Sequence, residues 1–203
     1  STAKSPRWIA LEYTTFYKEL SPEPTPTPTK TVQEKCCDWA KSIAAGGQYK
    51  YKSWESNDEK TKLCPICNNL TGKYKGWNCI GFAFASWKHG GGISTKCSCG
   101  VISDPVWNNI LKASTDAAAL KLAQDRMGLK DIQVIRNGGN AIPTSKLKAG
   151  DIVSFYNGNT YYHTALYIGN GQVADSTSSR NPNIKYGVGL YSGLKVAIRY
   201  TGK

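Results

Sequence analysis

Apolar residues recur along this chain at two different periods, and the change of period divides it. From Thr31 onward, Val32, Cys36, Trp39, Ala40 and Ile43 fall at helical spacing. Thr31 and Glu34 stand three apart, the spacing of a capping box, and Gly46-Gly47 ends the run. Residues 48–75 are polar and irregular. The stretch Trp77–Trp87 is apolar all round, reads as a buried helix, and stops at Gly90-Gly91-Gly92. Asp104-Pro105 is a cap followed by a first-turn proline and opens a helix through Trp107, Ile110 and Leu111. A further helix covers about residues 115–127 and stops at Gly128. Beyond it the period becomes two. Residues 132–135, 151–156, 161–168, 172–176 and 194–200 are strands, separated by hairpin signals such as Asn157-Gly158-Asn159 and Gly169-Asn170-Gly171. Helices first and an antiparallel sheet afterwards is an α+β arrangement, without internal repeats.

The first 30 residues follow neither pattern. Residues 1–20 are rich in aromatic and β-branched side chains and read as a strand or the tail of a preceding module. Residues 21–30 alternate proline with threonine, an extended spacer, so the compact domain is expected over residues 31–203. The chain begins at Ser1, which suggests an excised fragment or a processed product. Its 203 residues suffice for one core with appendages. No apolar run reaches the ~20 residues that span a bilayer, so no membrane partner is expected. The net charge of +12 suits an anionic partner such as a wall polymer. The lysines are scattered and no nucleic-acid motif stands out, so nucleic acid is not expected.

Seven cysteines and two histidines carry the candidate chemistry. Cys79 stands at the start of the apolar helix, where backbone N–H groups and the helix dipole favour a thiolate and can face an oxyanion; Gly76 and Asn78 allow a tight entry. His89 is too far along the same helix to serve as its base, since ten residues rise ~15 Å, and is expected to interact with the helix C-terminus. His163, on a strand, is then the base. Asp175 can hold its imidazole only in one hairpin register. A two-residue turn pairs His163 with Ser178 and turns Asp175 away. A three-residue Gly169-Asn170-Gly171 loop pairs His163 with Thr177 and makes Asp175 a same-face diagonal neighbour. A Cys79–His163–Asp175 triad thus predicts a loop type.

Three segments resemble the NlpC-type cell-wall cysteine peptidases, which have a papain-like fold. They are Asn78-Cys79-Ile80-Gly81-Phe82, the strand Leu147-Lys148-Ala149-Gly150-Asp151-Ile152-Val153-Ser154-Phe155, and His163-Thr164-Ala165-Leu166-Tyr167-Ile168-Gly169-Asn170-Gly171. The resemblance implies the same triad, with Asp175 as the polar residue twelve positions after the histidine. It also implies a tyrosine near the oxyanion, matched by Tyr49 or Tyr51, with Tyr49 favoured, beside Asn78. No cofactor is required for this chemistry. Asn78 and Ile80 replace the family's usual aspartate and serine, and the segment between nucleophile and base is long. The pattern looks most like peptidase domains of methanogen viruses and prophages, tail proteins among them, for which the wall is pseudomurein. The implied activity is hydrolysis of amide or isopeptide bonds in wall peptides, outside the cell or on a virion. The alternatives are a non-catalytic wall-binding or virion module and a transglutaminase-like acyltransferase.

Cys64-Pro65-Ile66-Cys67 and Cys97-Ser98-Cys99 flank the nucleophile segment. Two such pairs can build a tetrahedral zinc site, form disulfides, or remain buried thiols. In each case Cys64, Cys67, Cys97 and Cys99 tie the irregular loop to the catalytic helix. Of the vicinal pair Cys36-Cys37, at most one is expected to face the core.

Overall fold

The computed structural model describes residues 29–53, 63–98, 101–178 and 183–202. The expected strand in residues 1–20, the spacer as far as residue 28, and Cys99 lie outside the described residues. The chain divides between Lys30 and Thr31.

Helix α1 (Val32–Gly46) opens with the capping box: the Glu34 N–H donates to Thr31 Oγ1, and the Thr31 N–H donates to Glu34 Oε2 at 2.7 Å. Gly47 closes it in the left-handed conformation. Two short strands, β1 (Lys50–Tyr51) and β2 (Gly76–Trp77), pair in parallel. They lead into helix α2 (Cys79–Ala85), which continues as a π-helical turn over Ser86–Gly90. The expected helix over Trp77–Trp87 is thus shorter at its start, because the backbone of Trp77 is engaged by β1. Helices α3 (Asp104–Lys112) and α4 (Asp116–Met127) follow, capped by Ser103 and Thr115, so Asp104 is the first helical residue rather than the cap.

Six strands form one antiparallel sheet: β3 (Ile132–Arg136), β4 (Ile152–Asn157), β5 (Thr160–Gly169), β6 (Gln172–Thr177), β7 (Asn183–Gly189) and β8 (Leu194–Tyr200), in the order β3-β8-β4-β5-β6-β7. The expected α+β class and antiparallel sheet are what the chain adopts. β7 is an edge strand absent from the sequence expectation.

Helix α2 is buried on every side, as its all-apolar pattern requires, and lies against β5 and β6. The sheet carries a second apolar cluster that includes Val153, Phe155, Ala165, Tyr167 and Val173. Cys36 and Cys37 are both buried, contrary to the expectation that only one would be. Helix α1 is covered on two sides. Toward the π turn, a Cβ on Gly90 would come within 2.8 Å of the Cys36 Cα, so only glycine permits the approach. Toward the sheet, the Cys37 thiol reaches the carbonyl of Tyr167 at 4.0 Å. No described helix is long and apolar enough to cross a membrane.

Candidate active site

Gly76 fixes the approach to the nucleophile. A Cβ there would stand 2.0 Å from the Lys50 carbonyl oxygen, so the β1–β2 pairing that sets Tyr51 opposite Trp77 depends on glycine. Asn78 follows in extended conformation and caps α2, its Oδ1 accepting from the Gly81 N–H at 2.8 Å. Cys79 is the first residue of the helix.

The opposite wall comes from the sheet. In the β5–β6 hairpin Leu166 pairs with Ala174 and Tyr167 with Val173, the register that sets His163 against Thr177. Gly169 pairs with Gln172, so the turn is the two-residue Asn170-Gly171 rather than the expected three-residue loop, and a bulge between Tyr167 and Gly169 produces that register; Gly169, Asn170 and Gly171 all have positive φ. His163 Nε2 donates to Asp175 Oδ2 at 3.0 Å. A carboxylate can only accept, so Nε2 carries the proton and Nδ1 is left for the thiol. His163 stands close enough to Cys79 for each to act on the ionisation of the other. Asp175 is fully buried, and its Oδ2 also accepts a short hydrogen bond from the Tyr191 hydroxyl. The Tyr191 ring meets the imidazole edge-on at 4.7 Å, and Phe155 stacks near it at 6.0 Å. Tyr161 places its hydroxyl 3.6 Å from Cys79 Sγ and 2.9 Å from Thr164 Oγ1, which in turn lies 3.2 Å from Ser154 Oγ. Ser176, next to Asp175, donates to the Trp77 carbonyl at 2.6 Å, tying the strand of the acid to the backbone just before the nucleophile.

The electrostatics follow from these contacts. Burial alone would raise the Cys79 thiol; the hydrogen bond and charge of His163, helped by the Tyr161 hydroxyl and the Thr164 backbone, outweigh it and hold the thiol below its ordinary value. Burial alone would lower His163, yet the hydrogen bonds and charges of Asp175 and Cys79 push it up to about 9. Opposite shifts on two touching groups favour a thiolate–imidazolium pair at neutral pH, the form that attacks carbonyl carbon.

The model of the NlpC/P60 family matches residues 71–188, which contain Cys79, His163 and Asp175. The chain belongs to the NlpC/P60 family. Solved structures similar to this NlpC/P60 chain include NlpC1 from Trichomonas vaginalis, at 13% identity over 89% of this chain and 48% of that one, TM-score 0.45. They also include the NlpC/p60 domain of the peptidoglycan hydrolase SagA, at 17% identity over 82% of this chain and 97% of that one, TM-score 0.44. A third is the peptidoglycan hydrolase RipB from Mycobacterium tuberculosis, at 14% identity over 93% and 79%, TM-score 0.43. The chain spans about half the length of the two Trichomonas proteins it resembles. A sequence search of curated proteins returned no match.

Within this NlpC/P60 domain the two candidate tyrosines part. Tyr49 packs its ring on Trp77 at 4.7 Å and under the Lys75 ammonium. Tyr51 is the one that senses the nucleophile: burial chiefly, and then the charge of Cys79, raise its hydroxyl, while a hydrogen bond with Ser178 acts the other way. Asn78, expected near the oxyanion, has its side-chain oxygen engaged in the cap. Tyr161, Thr164, Ser176 and Tyr191 lay outside the sequence reading. Tyr161 and Thr164 flank His163 in sequence, which is the one signal that pointed at them.

The cysteines around the nucleophile segment also regroup. Cys64, Cys67 and Cys97 come together as expected, but their fourth companion among the described residues is His89. Its Nε2 lies 3.3 Å from Cys64 Sγ, 3.5 Å from Cys67 Sγ and 3.5 Å from Cys97 Sγ, and Cys67 and Cys97 sulphurs are 3.3 Å apart. His89 stands in the last turn of the helix, as expected, and its ring also reaches the cysteine loops. None of the six described cysteines is in a disulfide.

Proposed function

We propose that this domain, residues 31–203, is a cysteine peptidase that hydrolyses amide bonds, isopeptide bonds included, in the peptide part of a microbial cell wall. The observation that carries the reading is the His163–Asp175 hydrogen bond beside Cys79, which begins the buried helix of an NlpC/P60 domain. The Cys79 thiolate attacks the carbonyl carbon, and the carbonyl electron pair moves to oxygen. In this reading the Cys79 N–H and the Tyr51 hydroxyl hold that oxyanion. The His163 imidazolium gives its Nδ1 proton to the departing amine as the C–N bond breaks, leaving a thioester. Water then loses a proton to Nδ1, attacks the thioester, and releases the acid and the thiolate. Asp175 keeps the imidazole oriented throughout.

The net charge of +12 supports an anionic wall polymer as partner and an extracellular place of action. Asn78 and Ile80 at the nucleophile, the long insertion before His163 and the cysteine-rich loops support a branch carried by viruses or prophages and directed at pseudomurein. Wild type and Cys79→Ala incubated with purified pseudomurein and peptidoglycan walls test this. The expected result is release of peptide fragments with new amine and carboxyl ends by wild type alone, from pseudomurein ahead of peptidoglycan. Equal release by Cys79→Ala overturns the assignment. Neutral-pH alkylation by iodoacetamide, expected first at Cys79, separates an enzyme from a binding module.

A further inference from the structure

Three thiols and an imidazole nitrogen converge on one point, in a cluster that does not include the triad. Four of the six distances among these ligand atoms are 3.3–3.5 Å, and all lie within 4.8 Å. A point equidistant from four such atoms lies about 2.1 to 2.5 Å from each, against about 2.3 Å for a zinc–sulphur and about 2.0 Å for a zinc–nitrogen bond. We propose that Cys64, Cys67, His89 and Cys97 form a tetrahedral zinc site that pins the far end of the catalytic helix.

The donor set chooses the metal. Thiolates and imidazole suit zinc, and the absence of any carboxylate in the set argues against magnesium or calcium. Four protein ligands close the coordination sphere, so the site is structural and leaves no position for a reacting water. The surroundings are built for it. Cys64-Pro65-Ile66-Cys67 is a tight turn, with the Asn68 N–H on the Cys64 carbonyl at 3.1 Å and the Leu70 N–H on the Pro65 carbonyl at 2.9 Å. That turn sets both sulphurs on one side, as zinc knuckles do. The Trp39 ring stacks on the His89 imidazole at 5.6 Å and fixes its plane. The buried indole N–H of Trp77 makes no hydrogen bond among the described residues.

The consequence is mechanical. His89 is the last residue but one of the π turn that continues α2, whose first residue is Cys79. Zinc joins that end and the segment of Cys97, both packed in the core, to the loop of Cys64 and Cys67, which apolar packing holds least: Leu63 and Ile66 in it are exposed. Cys79 takes no part in the cluster, so metal content and peptidase activity are separate properties.

The test uses the whole chain, purified reduced and without chelators. Elemental analysis is expected to find one zinc per chain in wild type and equally in Cys79→Ala, and Cys67→Ser and His89→Ala are expected to lose metal affinity at least tenfold. If those variants fail to fold, wild type alone decides: stripped of metal and titrated with cobalt(II), it is expected to bind one equivalent with the thiolate charge-transfer and intense visible bands of tetrahedral cobalt. A Cys67–Cys97 disulfide by mass spectrometry in protein purified without reductant, octahedral cobalt spectra, or failure to bind zinc at micromolar concentration overturns the site. Zinc retained by a Cys79→Ala protein that lyses walls like wild type would sink the peptidase reading and leave this one standing.

Discussion

Replacing Asp175 by asparagine tests the pairing of acid and imidazole with the least change of shape. In the native site one carboxylate oxygen accepts from both His163 Nε2 and Tyr191, while Oδ1 has no partner among the described residues. An amide oxygen can replace Oδ2, but the NH2 group then takes the place of Oδ1, buried and without a described acceptor. Leaving such a donor unmet costs about 1–3 kcal/mol, and the opposite rotamer sets NH2 against two donors. The electrostatic effect is separable. Asp175 and Cys79 together carry His163 from 6.5 to about 9 against the pull of burial. Loss of the carboxylate charge removes the share of that support that Asp175 supplies, so the imidazolium should weaken; a fall of about one pKa unit is worth about 1.4 kcal/mol, or tenfold in its population above neutrality. The sign is fixed: a raised histidine contributes stability that is present below pH 6.5 and lost as pH rises through about 9. The assay is kcat/KM for hydrolysis of a wall peptide against pH, with urea unfolding alongside. Wild type should show an alkaline limb near pH 9. Asp175→Asn should show that limb at least one pH unit lower, with a neutral-pH rate down about tenfold or more. An unmoved limb in a folded variant would refute the claim that Asp175 sustains the imidazolium.

Three further outcomes follow from single contacts. Tyr191→Phe removes a donor from Asp175 Oδ2, concentrates the carboxylate charge on His163, and should move the alkaline limb of the same profile upward, opposite to Asp175→Asn. Asp151→Ala strips a buried carboxylate that receives Arg199 at 2.8 and 2.7 Å and the Lys148 N–H at 2.8 Å; unfolding in urea should show a loss of about 3–5 kcal/mol, with hydrolysis per folded molecule unchanged. Gly90→Ala drives a methyl into Lys35 and Cys36 backbone at 2.8 Å and should cost about 1–3 kcal/mol, read as a lower Tm.

The sequence was most legible where local chemistry is self-contained. Thr31 and Glu34 cap each other within one turn, Gly128 ends a helix through its own φ, and the period-two strands with their glycine turns specify a hairpin sheet before any tertiary contact is known. The register of the β5–β6 hairpin was legible for a different reason: only one pairing puts Asp175 on the face of His163, and the chain adopts it, but through a two-residue turn and a bulge rather than the expected three-residue loop. What escaped depends on neighbours distant along the chain. β7 has one buried residue, Ile184, and two glycines, so it carries no alternation, and its pairing with β6 is what makes it a strand. Cys37 is buried because Tyr167, 130 positions away, covers it.

His89 shows where elimination stops. Distance along a helix disqualified it as a partner for Cys79, because ~15 Å of rise cannot be closed by an imidazole. The same distance says nothing of what else the ring meets. A π turn that ends at Gly90, with Gly91 after it, packs against Cys36 of α1 and delivers the imidazole to three sulphurs from two loops. The glycines read as a helix stop therefore do two things: they end the catalytic helix, and they set its last side chain where sulphur ligands gather. If that second role is real, a bulkier residue at Gly91, whose Cβ would stand 2.6 Å from Cys36 Sγ, should disturb zinc retention before it disturbs the triad at the other end of the helix.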